Sequence, residues 1–444
     1  MSLKKLLCLA IACFAAVTWV KAQPGKVPGA PVLTLKDAME IALQNNYNIQ
    51  ISRNTSKIAS NNVSLGNAGI LPTIGGTYTI ANSILNTVQT RSDNTVNRIV
   101  GANNTGNNYG ATLNWTVFDG FNMFATYDAL KQRDKLGQVR LRDTVQQTVA
   151  AVLNTYYDLI NQQKQIESLQ GVIAISRTQL RYANDRFQVG RVARLDVYNA
   201  EVALNTDTSA LISQLQTFKA SKIELNRIIS RDPATEFNVS DTIIVDEKLI
   251  LADVINQAQT QNPAILSAAI NQRISEINLK QVRSTRYPQL TVNTGYIWNT
   301  SKNPAGFARV QNSNGLNYGL AATINIFDGF NQWRRERNAK LQIDNSKINV
   351  ARTRVEIEAQ INTLYSSYLS GLDLIKLGQS NVELARKSLE ISLAKYRLGT
   401  ITPLEIREAQ RNYLSAQSIF LNAEYQAKVA ETTLKQITGN INIQ

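Results

Sequence analysis

The chain contains no histidine, and its two cysteines, Cys8 and Cys13, both fall within the first 22 residues. Those residues read as an export signal: Lys4 and Lys5 supply the charge, Leu6 to Trp19 an apolar run, and Val20-Lys21-Ala22 a small-residue cleavage site. The mature chain is therefore expected to leave the cytoplasm with neither residue type. That excludes thiol and imidazole nucleophiles, histidine acid–base pairs, and thiolate or imidazole metal sites. The expectation is no cofactor, no metal and no catalytic residue. Lipidation at Cys13, which Ala12 precedes, is an alternative; against it, the apolar run continues to Trp19 and Ala10 stands at the usual leucine position.

Long apolar runs are missing as well. No later segment approaches the ~18 uninterrupted apolar residues of a spanning helix, so any contact with a membrane interior must be made by strands. Acidic residues are in deficit. Without Lys4, Lys5 and Lys21, 44 basic residues stand against 33 acidic ones, a net charge of +11. The basic residues are dispersed along helical faces, with Arg334, Arg335 and Arg337 the densest group, and no basic stripe is interleaved with aromatics. This reads as solvated helix surface with some contact to anionic lipid headgroups, not as a nucleic-acid interface.

What is present is a duplication. Val117-Phe118-Asp119-Gly120-Phe121 returns as Ile326-Phe327-Asp328-Gly329-Phe330, and Phe187-Gln188-Val189-Gly190 as Tyr396-Arg397-Leu398-Gly399, both 209 residues later. Gln44-Asn45-Asn46 matches Gln261-Asn262-Pro263 at an offset of 217, and Leu71-Pro72 matches Tyr287-Pro288 at 216. The length difference falls in one connection, so the chain divides into the signal (1–22) and two tandem repeats (23–240 and 241–444).

Each repeat has the same expected order. Leu35 to about Gly66 reads as a helix capped by Thr34. Val145, Val152, Leu159, Ile166, Ile173, Leu180 and Phe187 recur every seven residues, as do Ile361, Tyr368, Ile375, Val382, Leu389 and Tyr396. A seven-residue seam held this long requires helices that supercoil around partners. Proline is absent from Asn122 to Phe187 and from Asn331 to Leu398, so each long helix is expected to be unbroken, about 100 Å in length. Gly190 and Gly399 end these helices, and return helices begin near Leu195 and Pro403. Their seams are Val197, Leu204, Leu211, Phe218 and Leu225, and Ile406, Tyr413, Phe420, Ala427 and Leu434.

Strands are expected between the helices, at 73–81, 108–117, 289–298 and 316–326, each alternating apolar with small polar residues. The segments 82–107 and 299–315, rich in Asn, Gly, Ser and Thr, read as exposed connections. Apolar faces with Tyr and Trp near their ends fit a membrane barrel, and a soluble sandwich is the alternative. Four strands cannot close a barrel, which needs about eight. Three chains would supply twelve.

With that order in place, the chain resembles the TolC family of outer-membrane efflux proteins across the mature sequence. The resemblance rests on the duplicated helix, strand-pair and hairpin order, on Phe118-Asp119-Gly120 and Phe327-Asp328-Gly329 where strand passes into helix, and on Tyr396-Arg397-Leu398-Gly399-Thr400 followed by Pro403-Leu404-Glu405. It implies a fold that is mainly α with β: a long α-helical coiled-coil barrel plus four strands per chain, forming a shared 12-strand β-barrel in a homotrimer. It further implies a passive exit duct in the outer membrane of a Gram-negative bacterium, serving efflux or type I secretion. Its partners would be a periplasmic adaptor protein, an inner-membrane pump and outer-membrane lipid.

Glu405 and Glu408 lie three residues apart at the start of the last helix and share one side. Threefold symmetry would make each a ring of carboxylates favouring cations, while the bland alternative is surface charge with Glu408 paired to Arg411. The resemblance matches both to the acidic constriction of the periplasmic entrance. It matches Asp196 to an aspartate that holds the entrance closed with Tyr396, a residue that otherwise simply complements a helix dipole. The family's basic latch residue falls at Ile401, leaving Arg191 or Arg194 as substitutes. Val189, Gly190, Arg191, Leu398, Gly399 and Thr400 form the tips that would meet the adaptor. A secreted or periplasmic structural coiled-coil protein, or the adaptor itself, are the rival readings.

Overall fold

A computed structural model of the protein describes residues 29–240, 242–304, 306, 308–439 and 441. The export signal and Cys13 lie outside them. The elements are α1 (Leu35–Asn45), α2 (Tyr47–Asn61), β1 (Thr73–Thr90), β2 (Val96–Asp119), α3 (Asn122–Gln188), α4 (Arg194–Ile228), α5 (Leu251–Gln261), α6 (Pro263–Ser284), β3 (Gln289–Lys302), β4 (Val310–Thr323), α7 (Asn331–Leu398) and α8 (Pro403–Ile437). Among the described residues, no helix is long and apolar enough to cross a membrane.

Two compact units emerge, each drawn from both halves of the sequence: Met1–Gln50, Asp143–Asn262 and Ile357–Gln444 in one, Ile51–Arg142 and Pro263–Glu356 in the other. In the first unit part of each seven-residue seam lies in the core, while Phe187 at the end of one is exposed. Val152, Leu159, Ile166, Phe218 and Leu225 are buried in one cluster, and Ile361, Tyr368 and Leu434 in another. Thr34 caps α1 by accepting from the Asp37 N–H at 3.2 Å.

The expected single helix from Leu35 breaks at Asn46. Its Nδ2 donates to the Ile228 carbonyl and its Oδ1 accepts from the Ile49 N–H at 3.1 Å, so it caps α2 while tying it to the end of α4. Asn262 repeats the device, donating to the Ile437 carbonyl at 3.0 Å ahead of Pro263, a residue that itself disfavours helix at the preceding position. Function therefore pairs Asn46 with Asn262, an offset of 216, and corrects the 217 suggested by the tripeptide match.

In the second unit the four strands form one antiparallel sheet in sequence order. The strands run well beyond their expected ends: β1 and β2 pair from Thr73↔Asn114 to Thr90↔Val96, and β3 and β4 from Gln289↔Thr323 to Lys302↔Val310. Residues 82–90, 96–107, 299–302 and 310–315, read as loops from their turn-forming residues, lie in the strands, because antiparallel pairing draws on backbone groups and tolerates Asn and Ser. Conversely, β4 stops at Thr323, short of Ile326, since its partner β3 begins at Gln289. Register places Tyr78 opposite Tyr109, Tyr109 opposite Trp298, and Tyr296 opposite Leu316, on one face. Tyr109 and Trp298 stack at 5.4 Å. On the other face, a Cβ at Gly110 would overlap the Tyr296 carbonyl.

Helix neighbours in this unit follow a fixed order. α2 meets α3 where a Cβ on Gly137 would lie 3.3 Å from Ala59; α3 meets α6 through Ala125, Ala129 and Ile277; α6 meets α7 through Ser275 and Ser346 at 2.9 Å. Replacing Asn46 with alanine orphans the buried Ile228 carbonyl and removes a cap, and is expected to cost about 1–3 kcal/mol. The thermal unfolding midpoint in detergent, compared with wild type, measures it.

Candidate functional site

The duplicated strand-to-helix junctions are built alike. Gly120 and Phe121 have φ of +68 and +69°, Gly329 and Phe330 +67 and +64°, so two left-handed residues in succession swing the strand into the long helix. Phe118 and Phe121 meet edge to face at 5.2 Å, Phe327 and Phe330 at 5.4 Å. Asp119 accepts from the Met123 N–H at 3.1 Å, capping α3, whereas Asp328 pairs with Arg335 at 3.0 Å. Their surroundings differ. A Cβ on Gly120 would overlap the Ser284 carbonyl and Phe121 meets the Tyr287 ring at 6.3 Å, while Gly329 has only Asn331 nearby and Ile326 is 92% exposed.

The two tips belong to the first unit. Gly190 (φ +72°) and Gly399 (φ +78°) end α3 and α7 with their N–H groups donating to the carbonyls of Phe187 and Tyr396, and the next residues, Arg191 and Thr400, donate to Arg186 and Lys395. Val189 and Leu398 are exposed at these ends.

Among the expected gate residues, Tyr396 is buried (3% exposed) and Asp196 half-buried in the first turn of α4. They are electrostatic neighbours. Burial pushes the Tyr396 hydroxyl above its ordinary range, and the Asp196 charge adds to that. No hydrogen bond joins the two among the described residues. Instead Arg186 bridges the tips: its guanidinium donates to the Tyr396 carbonyl, lies 3.3 Å from the Arg397 carbonyl and covers the Tyr396 ring at 5.1 Å. Arg194 turns to the Tyr198 ring at 5.6 Å. The cation found between the tips is thus Arg186, which sequence reading overlooked. The available hint was a basic residue four positions before each terminating glycine, Arg186 and Lys395.

Glu405 has a local task as well. Its carboxylate accepts from the Thr402 N–H at 2.7 Å and hydroxyl at 3.0 Å, while the Thr402 hydroxyl accepts from the Glu405 N–H, a complete capping box for α8. The spacing Thr402-Pro403-Leu404-Glu405 carried that signature. Glu408 is exposed on the same side, and no ion pair joins it to Arg411 among the described residues. Nor do those residues include a group of His, Cys, Asp or Glu able to hold a metal.

A family model of the outer membrane efflux protein matches residues 38–231 and again 254–440. The chain belongs to the outer membrane efflux protein family. The double match restates the internal duplication. The outer membrane efflux protein BepC of Brucella suis is 22% identical over 92% of this chain and 86% of its own length. The outer membrane protein TolC of Vibrio cholerae is 20% identical over 72% of this chain and 74% of its own. Among solved structures, the Campylobacter jejuni CmeC outer membrane channel superposes with a TM-score of 0.76 at 17% identity, covering 91% of this chain and 85% of that one. Membership places the chain in the outer membrane.

The Thr402 N–H and hydroxyl hold the Glu405 carboxyl below its ordinary range. Because the folded-state value is the lower one, the cap's contribution is complete above the unfolded carboxyl value, about 4.3, and is lost as pH falls through the folded one. The protection factors of the Thr402 and Glu405 amides, measured against the intrinsic exchange rate at each pH, should therefore fall on acidification from about pH 6 to 3, and Glu405→Gln should flatten that profile.

Proposed function

We propose that this protein is the exit duct of a tripartite efflux or type I secretion system: a homotrimer that conducts passively and opens at its periplasmic end when an adaptor, coupled to an inner-membrane pump, engages the tips. The observation carrying this is that one chain leaves matched surfaces uncovered. In the second unit the helix order α2, α3, α6, α7 alternates contacts within and between repeats, and no such contact joins α7 to α2 among the described residues. Leu341, Ile348 and Val355 on α7, and Ile51 and Ile58 on α2, are exposed at seven-residue spacing. β1 and β4 are likewise the two unpaired edges of the sheet.

The duplication says what fills them. The first junction is covered by Ser284 and Tyr287, whose counterparts at an offset of 216 are Ala68 and Leu71, so the open second junction fits the Ala68–Leu71 segment of another copy. Three copies with four strands each meet the barrel size that membership implies. The two repeats at 23–240 and 241–444 are evolutionary units, and folding units combine parts of both.

In such a ring Asp196, Tyr396, Glu405 and Glu408 would line or brace the entrance, with Glu405 and Glu408 as successive carboxylate rings. Val189, Gly190, Arg191, Leu398, Gly399 and Thr400 would meet the adaptor. The duct does no chemistry of its own, and no cofactor enters the proposal.

Purified protein in planar bilayers is expected to show a low-conductance, cation-selective resting state. Replacing both Glu405 and Glu408 with alanine should raise resting conductance and weaken cation selectivity; unchanged values would remove them from the gate. Separately, Ile348→Glu, on the uncovered face of α7, should abolish assembly while leaving the chain helical by circular dichroism.

A further inference from the structure

The first unit holds a buried polar cluster that none of the entrance residues discussed above includes. Asp207 on α4, its side chain 5% exposed, accepts through Oδ2 from the Ser176 hydroxyl of α3 at 2.7 Å and from Arg407 Nη1 of α8 at 2.8 Å. Gln410, fully buried on α8, donates to Ser176 at 3.3 Å. Four side chains from three helices converge, and they tie the hairpin of the first repeat to the return helix of the second. Arg407 lies between Glu405 and Glu408 in sequence, so the tie reaches the proposed entrance within one turn.

Two comparisons give the cluster its meaning. At the positions 209 residues away stand Ala385, Ala416, Tyr198 and Glu201, so the second hairpin has no such centre. The same junction continues in polar terms, with Asn161 and Gln165 on Asn422 at 3.3 and 3.2 Å and Lys164 on Glu424 at 3.7 Å. By contrast, the outward face of α7 carries Leu377, Leu384 and Ile391 exposed every seven residues, and α4 exposes Leu195, Val202 and Ile212. The junction between hairpins of one chain thus carries a run of polar ties, whereas the exposed faces of α7 and α4 carry apolar residues.

Directional polar contacts hold one register and are lost together when it shifts, whereas apolar seams lose little on sliding. This arrangement is also imperfectly satisfied: Gln410 Oε1 and Gln179 Nε2 are buried without a partner among the described residues. We propose that Asp207, Arg407, Ser176 and Gln410 are positioning residues that latch the two hairpins of each chain in the resting register, so that opening slips along this intrachain junction while the apolar faces between copies hold.

The proposal rests on the duct reading, and the experiment separates the two. Wild-type protein is first tested in planar bilayers; no channel at all would remove the duct reading itself. Given a wild-type channel, Asp207→Asn and Arg407→Met are each expected to raise the resting open fraction by about tenfold or more. Their combination should do no more than the larger single change, because both break one tie. Ser176→Ala, which removes only a hydroxyl, should act in the same direction more weakly, and it decides the matter if the charge variants fail to assemble. Variants that lower the thermal midpoint while leaving resting conductance unchanged would overturn the latch, as would strictly additive effects of the two charge changes.

Discussion

Everything in this molecule depends on edges that one chain cannot cover. A four-stranded sheet offers unpaired N–H and C=O groups along β1 and β4, and inside a bilayer such groups have no water to satisfy them. The sheet must be closed by more of itself. The same incompleteness recurs along α2 and α7, whose exposed apolar residues keep the seven-residue spacing of a coiled-coil seam. In the proposed assembly duplication supplies the remedy, because the cover that Ser284 and Tyr287 give the first junction is the pattern for covering the second.

How much of this was legible in the sequence depended on whether the cause is local. Seven-residue spacing has one structural solution over such lengths, and residues such as Leu159, Ile361 and Leu434 are buried where it put them. The long helices begin at Asn122 and Asn331 and end beside Gly190 and Gly399, as proline absence and glycine placement indicate. Strand ends were not legible, since the Asn-rich stretch before Tyr109 is held by partners across the ladder and not by its own propensities. The break at Asn46 depends on the carbonyl of Ile228, 182 residues away. Asp207 and Arg407 are 200 residues apart and carry no motif at all.

The candidate entrance shows the same division. The glycine-ended tips were readable, but the side chain that lies between them was not. Arg186 acts through the backbone carbonyls of Tyr396 and Arg397, contacts that impose no residue type on the acceptor and leave no pairing to read. Glu405 adds a different lesson: a carboxylate assigned to a pore also completes a capping box, so its replacement perturbs the helix start as well as the charge. Glu408, exposed and without that duty, is the cleaner reporter of entrance electrostatics.

The central claim is that closure comes from identical copies within a membrane. The most direct test is the detergent-corrected mass of the protein extracted from outer membranes, by light scattering coupled to size exclusion. Three chains per particle, obtained only with detergent, is the predicted result. A monomer or dimer recovered without detergent would contradict it, leaving the apolar sheet face and the open seams to be covered in some other way.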